Sequence, residues 1–197
     1  MNKEEMKRIH DEAREKHIPI MKDDGLVFLL DFIRSQNQIQ DILEIGTAVG
    51  HSAISMASVR WDITVDTLEV NPDMAQMAKK NILQENLQDR IHVYLGDAAE
   101  FETKKIYDLI FVDAAKSQYR RYLEHFIKNS RVGSIFVFDN LNFHGYVDDI
   151  LISHNRSTIQ MSHKIKKFRE HIMQDPRFHT TFYGNVGDGI AVSIRIV

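Results

Sequence analysis

Asp41-Ile-Leu-Glu-Ile-Gly-Thr-Ala-Val-Gly-His-Ser52 decides the fold. Ile42, Leu43 and Ile45 read as a short buried strand. Gly46 and Gly50 let the chain turn tightly and approach a ligand with no Cβ in the way. Ser52 to Val59 continue as a helix, so free backbone N–H groups face outward where that helix begins, a place for polar or anionic ligand groups.

Working outward, strand and helix signals alternate. Ile63–Glu69 is a second strand with β-branched residues at alternate positions. Pro72 suits the first turn of a helix that runs to about Glu85. Ile91–Leu95, Tyr107–Asp113 and Ser134–Asp139 are strands three to five, the last a continuous apolar run that burial on both faces requires. Ala98 to Phe101 form a short helix, residues 116–128 another, and residues 140–150 a loop with a turn of helix. Residues 158–174 are amphipathic through Ile159, Ile165, Phe168 and Ile172. Arg177–Tyr183 and Gly189–Val197 are two strands joined by Gly184-Asn-Val-Gly-Asp-Gly189. Upstream, residues 3–17 form a surface helix ended by Pro19, and Leu26, Leu29, Leu30 and Ile33 mark a second helix to about Ser35, with Asp23 or Asp24 as its cap. The reading is a doubly wound α/β fold with a mostly parallel, Rossmann-like sheet of seven strands closed by a C-terminal antiparallel hairpin. Residues 1–197 form one domain, with helices 1–36 packing on it.

Composition agrees with a folded protein: 43% hydrophobic and 27% charged over 197 residues. The absence of cysteine excludes disulfides, thiolate metal sites and cysteine nucleophiles. With no signal-peptide pattern and no 18-residue apolar run, a cytoplasmic location is expected. The net charge of −3 conceals an asymmetry: residues 151–180 hold Arg156, Lys164, Lys166, Lys167, Arg169 and Arg177 against Glu170 and Asp175.

Four acids close four successive strands: Glu69, Asp97, Asp113 and Asp139. In doubly wound sheets ligands bind at that edge. Glu69 follows Gly46 at a distance suited to bonding ribose hydroxyls. The turn departs from GxGxxG, and Glu44, two residues before Gly46, can meet a ligand ammonium directly or through water. That favours S-adenosylmethionine over a nicotinamide. Strands four and five should be neighbours, about 5 Å apart. Asp113 and Asp139 would then repel unless a cation intervenes, and with Asn140 they form an all-oxygen set suited to Mg²⁺. Lys116 sits unfavourably against the dipole of its helix, which hints at a general base.

At these residues the sequence resembles the Mg²⁺-dependent O-methyltransferases, the group of the catechol and caffeoyl-CoA enzymes. The matching stretches are Leu43–Ser52, Leu68-Glu69, Gly96-Asp97-Ala98, Phe111-Val-Asp-Ala-Ala-Lys116, Phe138-Asp-Asn140 and Gly187-Asp-Gly189. The resemblance implies metal ligands at Asp113, Asp139 and Asn140, and proton removal by Lys116. It implies cofactor contacts at Met21, Ser52, Glu69, Asp97 and Ala98, with Ser52 at the cofactor's carboxylate. It also implies a homodimer. Pro19-Ile-Met21, Asp113-Ala-Ala-Lys-Ser-Gln-Tyr119 and the basic segment 156–169 are similar to the bacterial branch that methylates 5-hydroxyuridine in the tRNA anticodon. Asp139-Asn-Leu-Asn-Phe-His-Gly145 departs from other members, which leaves the roles of Asn142, Phe143 and His144 open. Three functions stand: a tRNA 5-hydroxyuridine methyltransferase, a methyltransferase of a small catechol-like or phenolic hydroxyl, and a non-catalytic nucleotide- or RNA-binding module.

Overall fold

A computed structural model describes residues 3–148 and 155–197, and side chains from residue 7 onward. The last residues of the 140–150 loop lie outside that range.

The buried run of the opening stretch is β1 (Asp41–Ile45), whose last four residues are inaccessible. It pairs in parallel with β2 (Thr64–Glu69) on one side and β4 (Leu109–Val112) on the other. β3 (Ile91–Leu95) lies outside β2, and β5 (Ile135–Phe138) outside β4. The sheet order is β3-β2-β1-β4-β5-β7-β6, so the direction of winding reverses between β1 and β4. β4 and β5 are buried at every position, which accounts for their uninterrupted apolar sequence.

The hairpin strands, β6 (Phe178–Tyr183) and β7 (Ile190–Arg195), do not simply extend the sheet. β7 inserts antiparallel between β5 and β6, and is antiparallel to both. Only β7 therefore runs against the rest of the sheet.

Helices cover both faces. α1 (Lys3–Glu15), α2 (Asp23–Ser35), α3 (His51–Ala57) and α4 (Pro72–Gln84) pack on one face, where Ile9, Leu29, Ile33, Ile54 and Ile82 meet Ile42, Val65 and Phe111. α5 (Tyr119–Phe126) and α6 (Arg156–Gln174) pack on the other, where Leu123, Phe126, Ile165, Phe168 and Ile172 meet Leu43, Ile110, Phe136 and Phe138. Each such side chain contributes about 1.5–3 kcal/mol by leaving water. α4 starts where Asn71 accepts the N–H groups of Asp73 (2.9 Å) and Met74 (3.2 Å), with Pro72 in the first turn.

Several local expectations need correction. Lys22, not Asp23 or Asp24, occupies the cap position of α2. Asp23 accepts from His10 Nε2 at 2.9 Å, and Asp24 accepts the Gly187 N–H at 2.9 Å, so both carboxylates are engaged elsewhere. The single helix expected over 116–128 is a 3₁₀ turn (Lys116–Gln118), α5, and a second 3₁₀ turn (Ile127–Asn129). The Gln118 N–H reaches back only three residues, to the Ala115 carbonyl (2.8 Å), which tightens the start. β4 begins two residues late because the Tyr107 N–H turns to the Asn129 carbonyl (2.8 Å).

Candidate active site

The parallel register aligns the strand ends. Ile45 lies opposite Leu68 and Val112, and Val112 opposite Phe138, so Gly46, Glu69, Asp113 and Asp139 stand at one edge. A cavity of about 640 Å³ opens there beside the winding reversal. Its wall includes Met21, Gly46, Ser52, Glu69, Asp97, Ala98, Asp113, Lys116 and Asn140 of the sequence-predicted set. Glu44 and Asp139 lie behind that wall, each buried.

The turn is held from below. Gly46 has φ +103°, and its N–H bonds the Leu68 carbonyl at 3.0 Å. Gly50 has φ +84°, and Asn81 Nδ2 pins the turn by donating to the Val49 carbonyl at 2.9 Å. Glu69 Oε2 accepts the Ala48 N–H (2.8 Å) and Oε1 the Asn71 N–H (2.9 Å). One bond to each oxygen fixes the carboxylate yet leaves acceptor capacity for a diol. Asp97 Oδ1 accepts the Ala99 N–H (2.9 Å) of the short turn Ala98–Glu100.

Glu44, expected to meet a ligand ammonium directly or through water, lies beneath the cavity wall rather than in it. Its Oε1 accepts the Ser52 hydroxyl and its Oε2 the Thr67 hydroxyl, each at 2.5 Å, and Thr47 extends the chain to Thr67 at 2.6 Å. Full burial pushes the Glu44 carboxyl up to about 8, against the lowering effect of the two hydroxyls. Glu44 thus braces the turn and Ser52 from beneath.

At the other end of the cavity, Asn140 Nδ2 donates to Asp113 Oδ1 at 3.1 Å, and Asp139 Oδ1 accepts the Asn140 N–H at 2.7 Å. Burial raises both aspartates above the usual carboxylate range; Asp113 raises Asp139 further, while Lys116 opposes the rise at both. Asp139 Oδ2 accepts no hydrogen bond among the described residues. Two crowded carboxyls, a free oxygen and an adjacent amide fit a hard divalent cation. Asn140 holds φ +63°, a left-handed conformation that asparagine tolerates.

The hairpin between β6 and β7 fastens this edge. Leu141 N–H bonds the Gly189 carbonyl (2.9 Å) and Asn142 N–H the Asp188 carbonyl (2.7 Å). The buried Asp188 carboxylate accepts the His144 N–H at 2.9 and 3.0 Å. Asn142 Nδ2 donates to the Gly184 carbonyl (2.7 Å), so this side chain braces the loop. From the other face, Tyr119 Oη donates to the Asp139 carbonyl at 3.0 Å.

Sequence reasoning missed several residues of the wall: His17, His51, Asn71, Met74, Gln118 and Tyr122. Asn71-Pro72 carried a readable cap signal, whereas the others reach the cavity only through tertiary packing.

Comparison with known proteins adds the family. A family model described as O-methyltransferase matches residues 2–196. The catechol O-methyltransferase of Niastella koreensis is 30% identical over 168 residues, covering 80% of this chain and 74% of that protein. The crystal structure of a caffeoyl-CoA O-methyltransferase-like protein from Staphylococcus aureus is 34% identical with a TM-score of 0.91, covering 96% of this chain and 91% of that one. A Bacillus cereus O-methyltransferase, solved in complex with SAH, is 27% identical with a TM-score of 0.83, covering 99% of this chain and 92% of its own. With a matched model over nearly its whole length, this chain belongs to the O-methyltransferase family.

Proposed function

We propose that the protein transfers the methyl group of S-adenosylmethionine to the 5-hydroxyl of 5-hydroxyuridine in a tRNA anticodon, with Mg²⁺ at Asp113, Asp139 and Asn140. The cavity has the parts the methyl donor needs: a glycine turn, a diol acceptor in Glu69, and Asp97-Ala98 beside them. When bound, the ion would gather two vicinal oxygens of a planar ring and make a hydroxyl more acidic. Lys116 takes the proton from that hydroxyl. The turn, Glu69 and Asp97 hold the donor so that the substrate oxygen meets its methyl carbon in line.

The observation that carries the RNA reading is the outer face of α6. Arg156, His163, Lys164, Lys166 and Lys167 are exposed there, and the four Lys/Arg have no ion pair among the described residues. The patch is smaller than the sequence suggested. Arg169 pairs with Asp148, and Arg177 with Glu124 and Asp175. α6 packs against the turn that bears Lys116, with Phe168 against Tyr119 at 5.6 Å between ring centroids. Cations unpaired among the described residues, on a helix that packs against the turn bearing Lys116, suit a polyphosphate backbone.

Nucleoside mass spectrometry of tRNA from a strain lacking the gene tests this reading. Accumulated 5-hydroxyuridine with its methoxy form missing is the expected result; an unchanged nucleoside profile removes tRNA as substrate. A second reading, methylation of a small catechol-like hydroxyl, is favoured by the named activity of the Niastella koreensis relative. Both ring systems offer the same vicinal oxygen pair, so the metal edge serves either.

A further inference from the structure

Asp139 and Asn140 are joined by a single peptide unit, and that unit is held at both ends. Its N–H donates to Asp139 Oδ1 at 2.7 Å, and its carbonyl accepts the Tyr119 hydroxyl at 3.0 Å. The unit lies past the last β4–β5 pair, Val112 with Phe138. There the Asp139 N–H still reaches the Val112 carbonyl (3.2 Å), but no backbone donor serves the Asp139 carbonyl among the described residues. Asp139 is 2% exposed, which leaves water little room to replace the phenol. Just beyond, Asn140 turns left-handed at φ +63°, a conformation that persists only where its surroundings hold it.

The phenol is itself placed by packing. Tyr119 is buried, and its ring meets Phe138 of β5 at 5.9 Å and Phe168 of α6 at 5.6 Å between centroids. Tyr119 opens α5, directly after the 3₁₀ turn that carries Lys116. One side chain therefore runs from the Lys116 turn to the backbone between Asp139 and Asn140. A phenylalanine ring would satisfy the packing; the hydroxyl is the part that packing does not require.

We propose that Tyr119 is a positioning residue: its hydroxyl sets the orientation of the Asp139–Asn140 peptide, and with it the spacing of the two side chains and their place relative to Lys116. This inference rests on the assignment of a divalent ion to Asp113, Asp139 and Asn140. Without the hydroxyl a buried carbonyl loses its partner. Turning the peptide then releases Asn140 from its left-handed conformation and carries its side chain away from Asp113 Oδ1, to which it donates at 3.1 Å.

Tyr119→Phe removes the hydroxyl and keeps the ring. Tyr107→Phe is the control: it removes a fully buried hydroxyl that donates to Asp66 at 2.8 Å, outside the cavity wall. Mn²⁺ serves as the probe, with its free concentration read by electron paramagnetic resonance. Tyr119→Phe should weaken Mn²⁺ binding about 10–100-fold, the usual effect of losing a group that orients a metal ligand. Its affinity for S-adenosylhomocysteine, measured by calorimetry, should stay that of the wild type. Tyr107→Phe should lose stability in urea yet bind Mn²⁺ as the wild type does. Unchanged Mn²⁺ affinity in Tyr119→Phe, an equal loss in Tyr107→Phe, or an equal loss for S-adenosylhomocysteine overturns the proposal. Should Tyr119→Phe not fold, Phe168→Leu, which loosens the seat of the ring and keeps the hydroxyl, carries the test: weaker Mn²⁺ binding supports the proposal and unchanged binding overturns it. A wild type that binds no Mn²⁺ overturns the metal assignment itself.

Discussion

Gly46→Ala tests how closely the turn after β1 is built against Asp113. A Cβ at Gly46 would lie 2.2 Å from the Asp113 carbonyl oxygen and 2.9 Å from its carbon. Both are backbone atoms, and the Asp113 N–H is itself tied to the Ile45 carbonyl at 3.0 Å, so the strand end cannot yield without breaking its ladder. Relieving the clash requires a shift of roughly 1 Å or more, and overpacking of that kind costs about 1–3 kcal/mol. The backbone adds a penalty, because φ is +103° at Gly46 and a non-glycine residue there costs about 1–3 kcal/mol. Together the change is worth about 2–6 kcal/mol. For a domain of this size each kcal/mol moves Tm by about 2–4 °C, so a fall of at least about 4 °C is expected in circular-dichroism melts. Gly133→Ala is the control: φ there is +90°, but a Cβ meets nothing within 4 Å. It carries the backbone penalty alone, and the gap between the two variants isolates the contact with Asp113. Gly46→Ala should also weaken S-adenosylhomocysteine binding, whereas Gly133→Ala should not. A Gly46→Ala protein that melts with Gly133→Ala and binds as the wild type refutes the close approach.

Glu44→Gln should flatten the pH dependence of stability. Glu44 is held up at about 8 in the folded chain, above its unfolded value, so its contribution is fully present below about pH 4.5 and is lost as pH rises toward 8. Between those limits the variant should gain roughly 1–3 kcal/mol on the wild type in urea midpoints, and parallel curves would show that Glu44 ionises freely. Asp139→Asn should raise the Tm of metal-free protein near pH 8, because it removes one of two crowded buried carboxyls, and should abolish the further rise on adding Mg²⁺. A variant still stabilised by Mg²⁺ as strongly as the wild type would place the ion elsewhere. Lys164→Glu, Lys166→Glu and Lys167→Glu together should weaken tRNA binding in filter assays and shallow its salt dependence by about 3 in log–log slope. Unchanged salt dependence would leave the α6 row as solvated surface.

The strand ends and the turn were legible because local chemistry determines them. The apolar run Ile42–Ile45, the glycines at 46 and 50, and the acids at 69, 97, 113 and 139 are read one strand at a time, and parallel register brings them to one edge. Where β7 would lie was not legible. Only its pairing with β5, Phe136 opposite Ser193 and Phe138 opposite Ala191, reveals that it inserts between β5 and β6. The role of Glu44 was half legible. Its spacing from Gly46 marked it as part of the turn, but its burial depends on Thr67 of the neighbouring strand, which no local pattern connects to it. The basic segment shows the reverse error. Composition counts Arg169 and Arg177 with the free lysines, whereas the fold spends them on Asp148, Glu124 and Asp175. Histidine 51 carried no signal at all, since an imidazole at a helix start has no local meaning until α1 and the cavity close around it. No helix among the described residues is long and apolar enough to cross a membrane.

Methyl transfer from S-adenosylmethionine to tRNA bearing 5-hydroxyuridine, followed by mass spectrometry of the digested nucleosides, tests the proposed metal site most directly. Purified protein should form 5-methoxyuridine, lose that activity in EDTA, and regain it when Mg²⁺ is restored, with Lys116→Ala inactive under every condition. Turnover indifferent to EDTA, or full turnover by Lys116→Ala, would contradict the account.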